Sequence, residues 1–144
     1  MRPSDKVRLA VRVWCWFLVV HLELRRRPLP QLVSRLDAAP PRPLPDSLPP
    51  IGLGRVVVRA LTLGVWRPRC LITALVAFRL LREAGHPANL VIGLPAEAEN
   101  EDAHAWVEIG GVDVGPPPGK GLHQELVRYP AGGRAVRGHR GRLG

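Results

Sequence analysis

The chain is poor in the features that would place it in several common protein classes. Its two cysteines, Cys15 and Cys70, cannot build a disulfide framework, which favours a reducing, cytoplasmic compartment over a secreted one. The uncharged apolar stretch Val13–Leu22 has ten residues, half of what a membrane span needs. The sequence contains no Cys-x-x-Cys or His-x-x-x-His pair, so neither a metal nor a cofactor is expected.

Charge is abundant but unevenly placed. The formal net charge is +9, yet residues 1–36 hold eight Lys or Arg against two acidic residues, and residues 131–144 hold four Arg and no acid. The part between them is therefore close to neutral. Basic ends of this kind are either solvated or contact anionic lipid, nucleic acid or acidic peptide. Because no basic patch is interleaved with aromatic residues, no nucleic-acid partner is expected, whereas a peripheral membrane contact stays open.

Composition along the chain divides it into four parts. Residues 1–38 are basic and apolar and predict a helical segment. Residues 39–50 hold six prolines, which favour an extended connector. Residues 51–130 are expected to form the main folded domain, and residues 131–144 a basic, disordered tail.

Hydrophobic spacing and turn residues predict helices first and strands afterwards. The clearest helix begins at Cys70 and is capped by Gly85, and Gly110-Gly111 predicts a two-residue hairpin turn. The first helix is expected to pack on the domain, with a membrane contact or a partner contact as the alternatives. The predicted elements are helices Lys6–Leu24, Gln31–Leu36, Arg55–Leu63 and Cys70–Ala84, and strands Ala88–Leu94, Ala103–Ile109 and Val112–Gly115.

Two residues of this pattern carry nucleophilic chemistry. Cys70 opens a predicted helix, and His104 lies near the start of a predicted strand. A helix N-terminus lowers the pKa of a thiol, and a nearby imidazole takes the proton and holds the thiolate as an ion pair. The free N–H groups at the helix start could also donate to a developing oxyanion. Taken singly, each is more simply a buried cysteine or an exposed histidine, but together they predict a cysteine nucleophile with its base.

A third group should orient the imidazole and favour its charged form. Strand alternation places Trp106 and Glu108 on the face of His104, opposite the apolar core face. The hairpin turn pairs Glu108 with Asp113 on that same face. Asp113 is the first candidate, although a bulge or tilt is needed to bring it to His104. Glu108 is the second candidate, and Asp102, in the preceding acidic loop, is the third.

Four segments carry a resemblance to a known family. They are Cys70-Leu71, Leu80–Gly85, Leu90–Gly93 and Ala103–Glu108. Together they resemble the B2-type leader peptidases of lasso-peptide biosynthesis, which are transglutaminase-like cysteine peptidases. The resemblance covers residues 50–130.

The resemblance implies an α+β fold of the transglutaminase-like or papain-like kind, with the cysteine helix packed on a small antiparallel sheet. It implies Cys70 as nucleophile and His104 as general base. The family's acidic residue often lies where this chain has Pro116, so Asp113 or Glu108 has to replace it. The implied reaction removes the leader peptide from a ribosomally made precursor. The implied partners are that leader peptide, a small leader-recognition protein and an ATP-dependent lasso cyclase.

Two other functions fit the same residues. An acyltransferase or a transglutaminase would use the same cysteine, histidine and acid, with an amine replacing water as the acceptor. A non-catalytic adaptor would bind its partner through the basic ends, and the pairing of Cys70 with His104 would then be a coincidence. The spacing of the motifs does not separate these readings, whereas the products of the reaction do.

Overall fold

The computed structural model describes residues 2–38, 40, 42, 48–62, 70–95, 104–116, 123–130 and 136–137. Within these residues the chain forms four helices followed by five strands. The helices are α1 (Pro3–Arg26), α2 (Leu29–Asp37), α3 (Pro50–Thr62) and α4 (Cys70–Glu83). The strands are β1 (Ala88–Pro95), β2 (His104–Ile109), β3 (Val112–Gly115), β4 (His123–Tyr129) and β5 (Val136–Arg137).

The strands make one antiparallel sheet in the order β3-β2-β1-β4-β5. Helix α4 packs against β1 and β2, and the other three helices contact α4. The predicted α+β fold, with the cysteine helix on a small antiparallel sheet, is confirmed. Gly110 and Gly111 both take positive φ, +58° and +80°, as a tight turn between β2 and β3 requires.

Helix α4 is the centre of the core. Its residues from Ile72 to Leu81 are all buried, because the sheet lies on one side and the other helices cover the rest. The helix ends at Glu83, and Gly85 follows at φ +88°, the left-handed conformation that glycine supplies at helix ends. Since Cys70 is the first residue of this helix, the thiol sits on the most firmly packed element.

A buried carboxylate ties the first two helices to α4. Glu83 is 3% exposed and accepts hydrogen bonds from Arg79, at 2.9 Å, and from Arg12 of α1. Arg79 also donates to the Leu36 carbonyl of α2 and lies 4.2 Å from the centroid of the Trp16 ring. Charges are tolerated in a core when they are paired in this way. The N-terminal helices therefore belong to the same packed unit as the cysteine helix.

Helix α1 has one buried face and one exposed apolar face. The buried residues are Leu9, Val13, Phe17 and Val20, and the exposed ones include Val7, Val11, Leu18 and Leu22. The buried face explains the packing on the domain that the sequence predicted. Among the described residues, every helix is too short or too polar to cross a membrane.

Two valines on α1 test this packing. Val13→Ala removes two methyl groups from a side chain with 0% exposure, so we expect the free energy of unfolding to fall by about 2 kcal/mol. Val11→Ala, at a position 56% exposed, should change it by less than about 0.5 kcal/mol. Urea unfolding followed by circular dichroism measures both, and equal losses would contradict the placement of the two faces.

The predictions from the sequence were wrong or incomplete in three segments. It does not predict β4, which pairs with β1. Within the tail expected to be disordered, Val136–Arg137 form β5 against β4. Helix α3 begins at Pro50, inside the connector expected to be extended, because proline is well suited to the first turn of a helix. The rest of the tail and most of the connector lie outside the described residues.

Candidate active site

Cys70 lies where α4 begins and is half-buried. Its thiol shares a hydrogen bond with His104, and the sulfur accepts the backbone N–H groups of Leu71 and Ala105. The Leu71 N–H belongs to the first turn of α4 and has no partner inside the helix. The Ala105 N–H comes from β2, which packs alongside α4. The first residues of the helix and of the strand therefore meet at the sulfur.

The Pro116 carbonyl holds the other side of the imidazole. His104 Nε2 lies 3.1 Å from the Pro116 oxygen. A carbonyl can only accept, so Nε2 carries the hydrogen and donates it. In the neutral ring, Nδ1 is then left with its lone pair for the Cys70 thiol. Because Pro116 directly follows β3, one hairpin carries both the imidazole and the group that orients it.

These contacts shift both pKa values toward a thiolate and an imidazolium. The hydrogen bond with His104 is the main cause that lowers the pKa of the Cys70 thiol, and it outweighs the opposing effect of burial. The two backbone N–H groups and the imidazolium charge lower it further. Burial also opposes the charge on His104, but Cys70, the Pro116 carbonyl and the charge of Asp113 together raise its pKa. Both shifts favour the thiolate and imidazolium ion pair more than the same two groups would favour it apart.

Asp113 acts on the imidazole through its charge. As predicted, it pairs with Glu108 across the hairpin, and the register shifts just before this pair. Asp113 Oδ1 accepts the Gly115 N–H at 2.8 Å, while the negative charge contributes to the raised pKa of His104. The charge of Asp113 therefore favours the imidazolium, and its role as the third catalytic group stays a prediction. The hydrogen bond to the ring is supplied by Pro116.

Glu108 supports the wall beside the imidazole. Trp106 stacks on His104 with ring centroids 6.2 Å apart, and its Nε1 donates to Glu108 at 3.1 Å. Arg128 of β4 donates to the other Glu108 oxygen at 2.8 Å. His104, Trp106 and Glu108 are 7%, 1% and 1% exposed, so the face expected to lie opposite the apolar core is itself buried. Asp102, the third candidate, lies outside the described residues.

The sequence analysis did not predict three groups that contribute to this site. Two are backbone groups, the Pro116 carbonyl and the Ala105 N–H, whose positions no side-chain pattern encodes. The third is Arg128, whose strand was not predicted. The sequence does contain a pattern that favours this strand, because a run with valine and tyrosine lies between two stretches rich in glycine and proline.

A thiol at a helix N-terminus, bonded to an imidazole that a carbonyl orients, is the arrangement of a cysteine-based enzyme. Residues 14–125 match the family model described as the transglutaminase-like superfamily. The chain belongs to this superfamily, which includes cysteine peptidases and transglutaminases. The match begins inside α1, in agreement with the packing of that helix into the core. Comparisons with curated proteins and with solved structures find no match.

Proposed function

We propose that this protein is a cysteine peptidase that removes the leader peptide from a ribosomally synthesised lasso-peptide precursor. The observation that carries the proposal is the hydrogen-bonded pair of Cys70 and His104 at the start of the central helix of a transglutaminase-like domain. The substrate class follows from the resemblance of the segments around these two residues to B2-type leader peptidases.

In the proposed reaction, the Cys70 thiolate attacks the carbonyl carbon of the last leader residue. N–H groups at the start of α4 donate to the oxyanion that forms. The imidazolium of His104 gives its proton to the departing amine of the core peptide, which leaves the leader as a thioester on Cys70. A water molecule then loses a proton to His104 and attacks the thioester. The leader leaves as a carboxylic acid, and the thiolate and imidazolium are restored.

The proposed setting is the cytoplasm, where a reducing environment keeps the thiol available. Both cysteines of the chain are free thiols in the structure. A small leader-recognition protein would present the leader to the site. An ATP-dependent lasso cyclase would use the amine that cleavage releases, since closing a macrolactam ring requires a free amine.

Mass spectrometry of a candidate precursor from the neighbouring genes tests the proposal. The precursor is incubated with this protein and the recognition partner, and Cys70→Ala protein serves as the control. We expect cleavage at one bond that is lost in the control. An intact precursor would contradict the proposed function, and cleavage that persists in Cys70→Ala would contradict the assigned nucleophile.

Adding hydroxylamine to the same assay separates hydrolysis from acyl transfer. The superfamily includes transglutaminases, which pass the acyl group to an amine instead of water. A peptidase should release mainly the free acid of the leader at low hydroxylamine. A leader that accumulates only when an amine is supplied would favour acyl transfer from the same thioester.

Asp113→Asn separates charge from hydrogen bonding at His104. The amide keeps an oxygen for the Gly115 N–H and removes only the negative charge. We expect kcat/KM for cleavage to fall less than about tenfold, the equivalent of one pKa unit. In a triad whose carboxylate bonds directly to the imidazole, the same change costs about 10⁴ in kcat.

The pH profile of this variant provides the second readout. Losing the negative charge lowers the pKa of His104, so the imidazolium loses its proton at lower pH. The alkaline limb of the cleavage profile should therefore shift toward acid, while the profile keeps its shape. A loss in kcat/KM of a thousandfold or more would instead assign the orienting role to Asp113.

A further inference from the structure

A groove lies between α3 and β3. Its cavity volume is about 510 Å³, and its walls include Ile51, Arg55, Val58 and Arg59 from α3 and Asp113 and Gly115 from β3. Pockets of this size hold small ligands or a few side chains. Gly115 is bonded to Pro116, whose carbonyl orients His104. The groove therefore lies next to the chain segment that orients the imidazole.

The two walls of the groove are held at a fixed separation. Gly54 brings α3 so close to β3 that a Cβ at this position would lie 2.0 Å from the Val114 carbonyl oxygen. A side chain there would push the helix off the strand. Because α3 also packs on α4, the helix of Cys70, the groove is preformed relative to the nucleophile.

The α3 wall carries two positive charges, which exceed the single negative charge of Asp113 on the β3 wall. Arg55 and Arg59 are four residues apart, so they lie on the same side of the helix, and both are exposed. Among the described residues neither forms an ion pair. In the part of the chain that the structure describes, the arginines with an ion pair are Arg12, Arg27, Arg35, Arg79, Arg82 and Arg128. Two like charges one turn apart repel each other, so an anion bound between them is stabilising.

We propose that this groove binds an extended segment of the precursor beside the cut bond, and that Arg55 and Arg59 bind an Asp or Glu side chain of that segment. The inference rests on the proposed function, which supplies the peptide substrate. Guanidinium groups bind carboxylates through paired, charge-assisted hydrogen bonds. Ile51 and Val58 on the same wall offer apolar contact to the neighbouring residue of the peptide. The groove thus makes an acidic residue near the cut a specificity determinant.

Cleavage kinetics with paired changes in enzyme and substrate test the inference. Each Asp or Glu near the cut is changed singly to its amide, and the enzyme carries Arg55→Gln together with Arg59→Gln. One amide precursor should raise KM about tenfold with kcat little changed, as expected for a ground-state ion pair. The double variant should have a KM for the wild-type precursor that is higher by the same factor. Its KM for the amide precursor should be the same as for the wild-type precursor. Arg8→Gln, an exposed arginine on α1, is the control and should match wild type.

A wild-type KM for the double variant would overturn the inference and leave the proposed function standing. If no precursor is cleaved at all, the proposed function fails, and binding to Cys70→Ala protein decides the inference separately. The probe is the fluorescein-labelled precursor, followed by anisotropy. If losing the two arginines weakens binding of the wild-type precursor tenfold but does not weaken binding of the matching amide precursor, the inference is supported. Unchanged binding of the wild-type precursor overturns it. Single Arg59→Gln protein gives the same comparison if the double variant has a lower melting temperature.

Discussion

Cys70→Ala is expected to abolish cleavage of the precursor while the protein stays folded. The thiolate is the atom that forms the acyl-enzyme, so its loss removes the covalent route altogether. The substitution deletes one sulfur atom from a half-buried position. Without the thiolate, His104 loses one of the partners that raise its pKa, so its neutral form becomes more favourable than in the wild-type protein. We therefore expect the free energy of unfolding to change by less than about 1 kcal/mol.

Three measurements check this prediction on one preparation. Mass spectrometry follows the precursor, thermal unfolding follows stability, and iodoacetamide labelling follows the thiols. Cys15 is exposed on α1 and provides an internal reference for labelling. Cys15→Ala protein is the matched control and should cleave at the wild-type rate. A large fall in melting temperature with activity retained would show that Cys70 is a structural residue.

His104→Ala is expected to lower kcat/KM for cleavage by about 10²–10⁴, the usual contribution of a general acid and base. It should also make Cys70 a weaker nucleophile. The hydrogen bond from His104 is the main cause of the lowered pKa of the Cys70 thiol, so that pKa should rise when the imidazole is removed. At neutral pH a smaller fraction of the sulfur is then thiolate.

The rate of Cys70 alkylation as a function of pH measures this change directly. In the wild-type protein, alkylation should persist below the pH at which an ordinary thiol loses its proton. In His104→Ala the whole profile should move to higher pH. His86→Ala, in the turn between α4 and β1, is the control and should leave the profile in place. A profile that does not move in His104→Ala would show that His104 is not the base of Cys70.

Predictions of secondary structure from the sequence were most accurate where residues close in the sequence are also close in space. Helix α4 was predicted to start at Cys70 and to be capped by Gly85, and it ends within one residue of the expected position. Strand β3 has the predicted bounds, because Gly110-Gly111 sets both the turn and the register. In each case, short-range hydrogen bonds and backbone preferences determine the geometry.

The same signals fail where contacts join distant parts of the chain. Strand β4 is half-buried along most of its length. It therefore lacks the alternation of buried and exposed residues that marks a strand with one solvent-exposed face. Its pairing with β1 depends on the sheet already being present. The salt bridge from the partly exposed Arg12 to the buried Glu83 likewise joins two helices that no sequence periodicity connects. Such contacts are visible only after the chain has been packed.

The chemistry of the site can be read from residue types and local order, because a thiol at a helix start and a histidine on a following strand carry their properties with them. Cys70 and His104 were identified in this way, and the structure brings them into contact. The group that orients the ring could not be identified from residue types, because the Pro116 carbonyl is a backbone group that every residue has. The groove with Arg55 and Arg59 also arises from the approach of α3 to β3. Packing of distant segments places these groups, because their positions depend on the whole sheet and its helices.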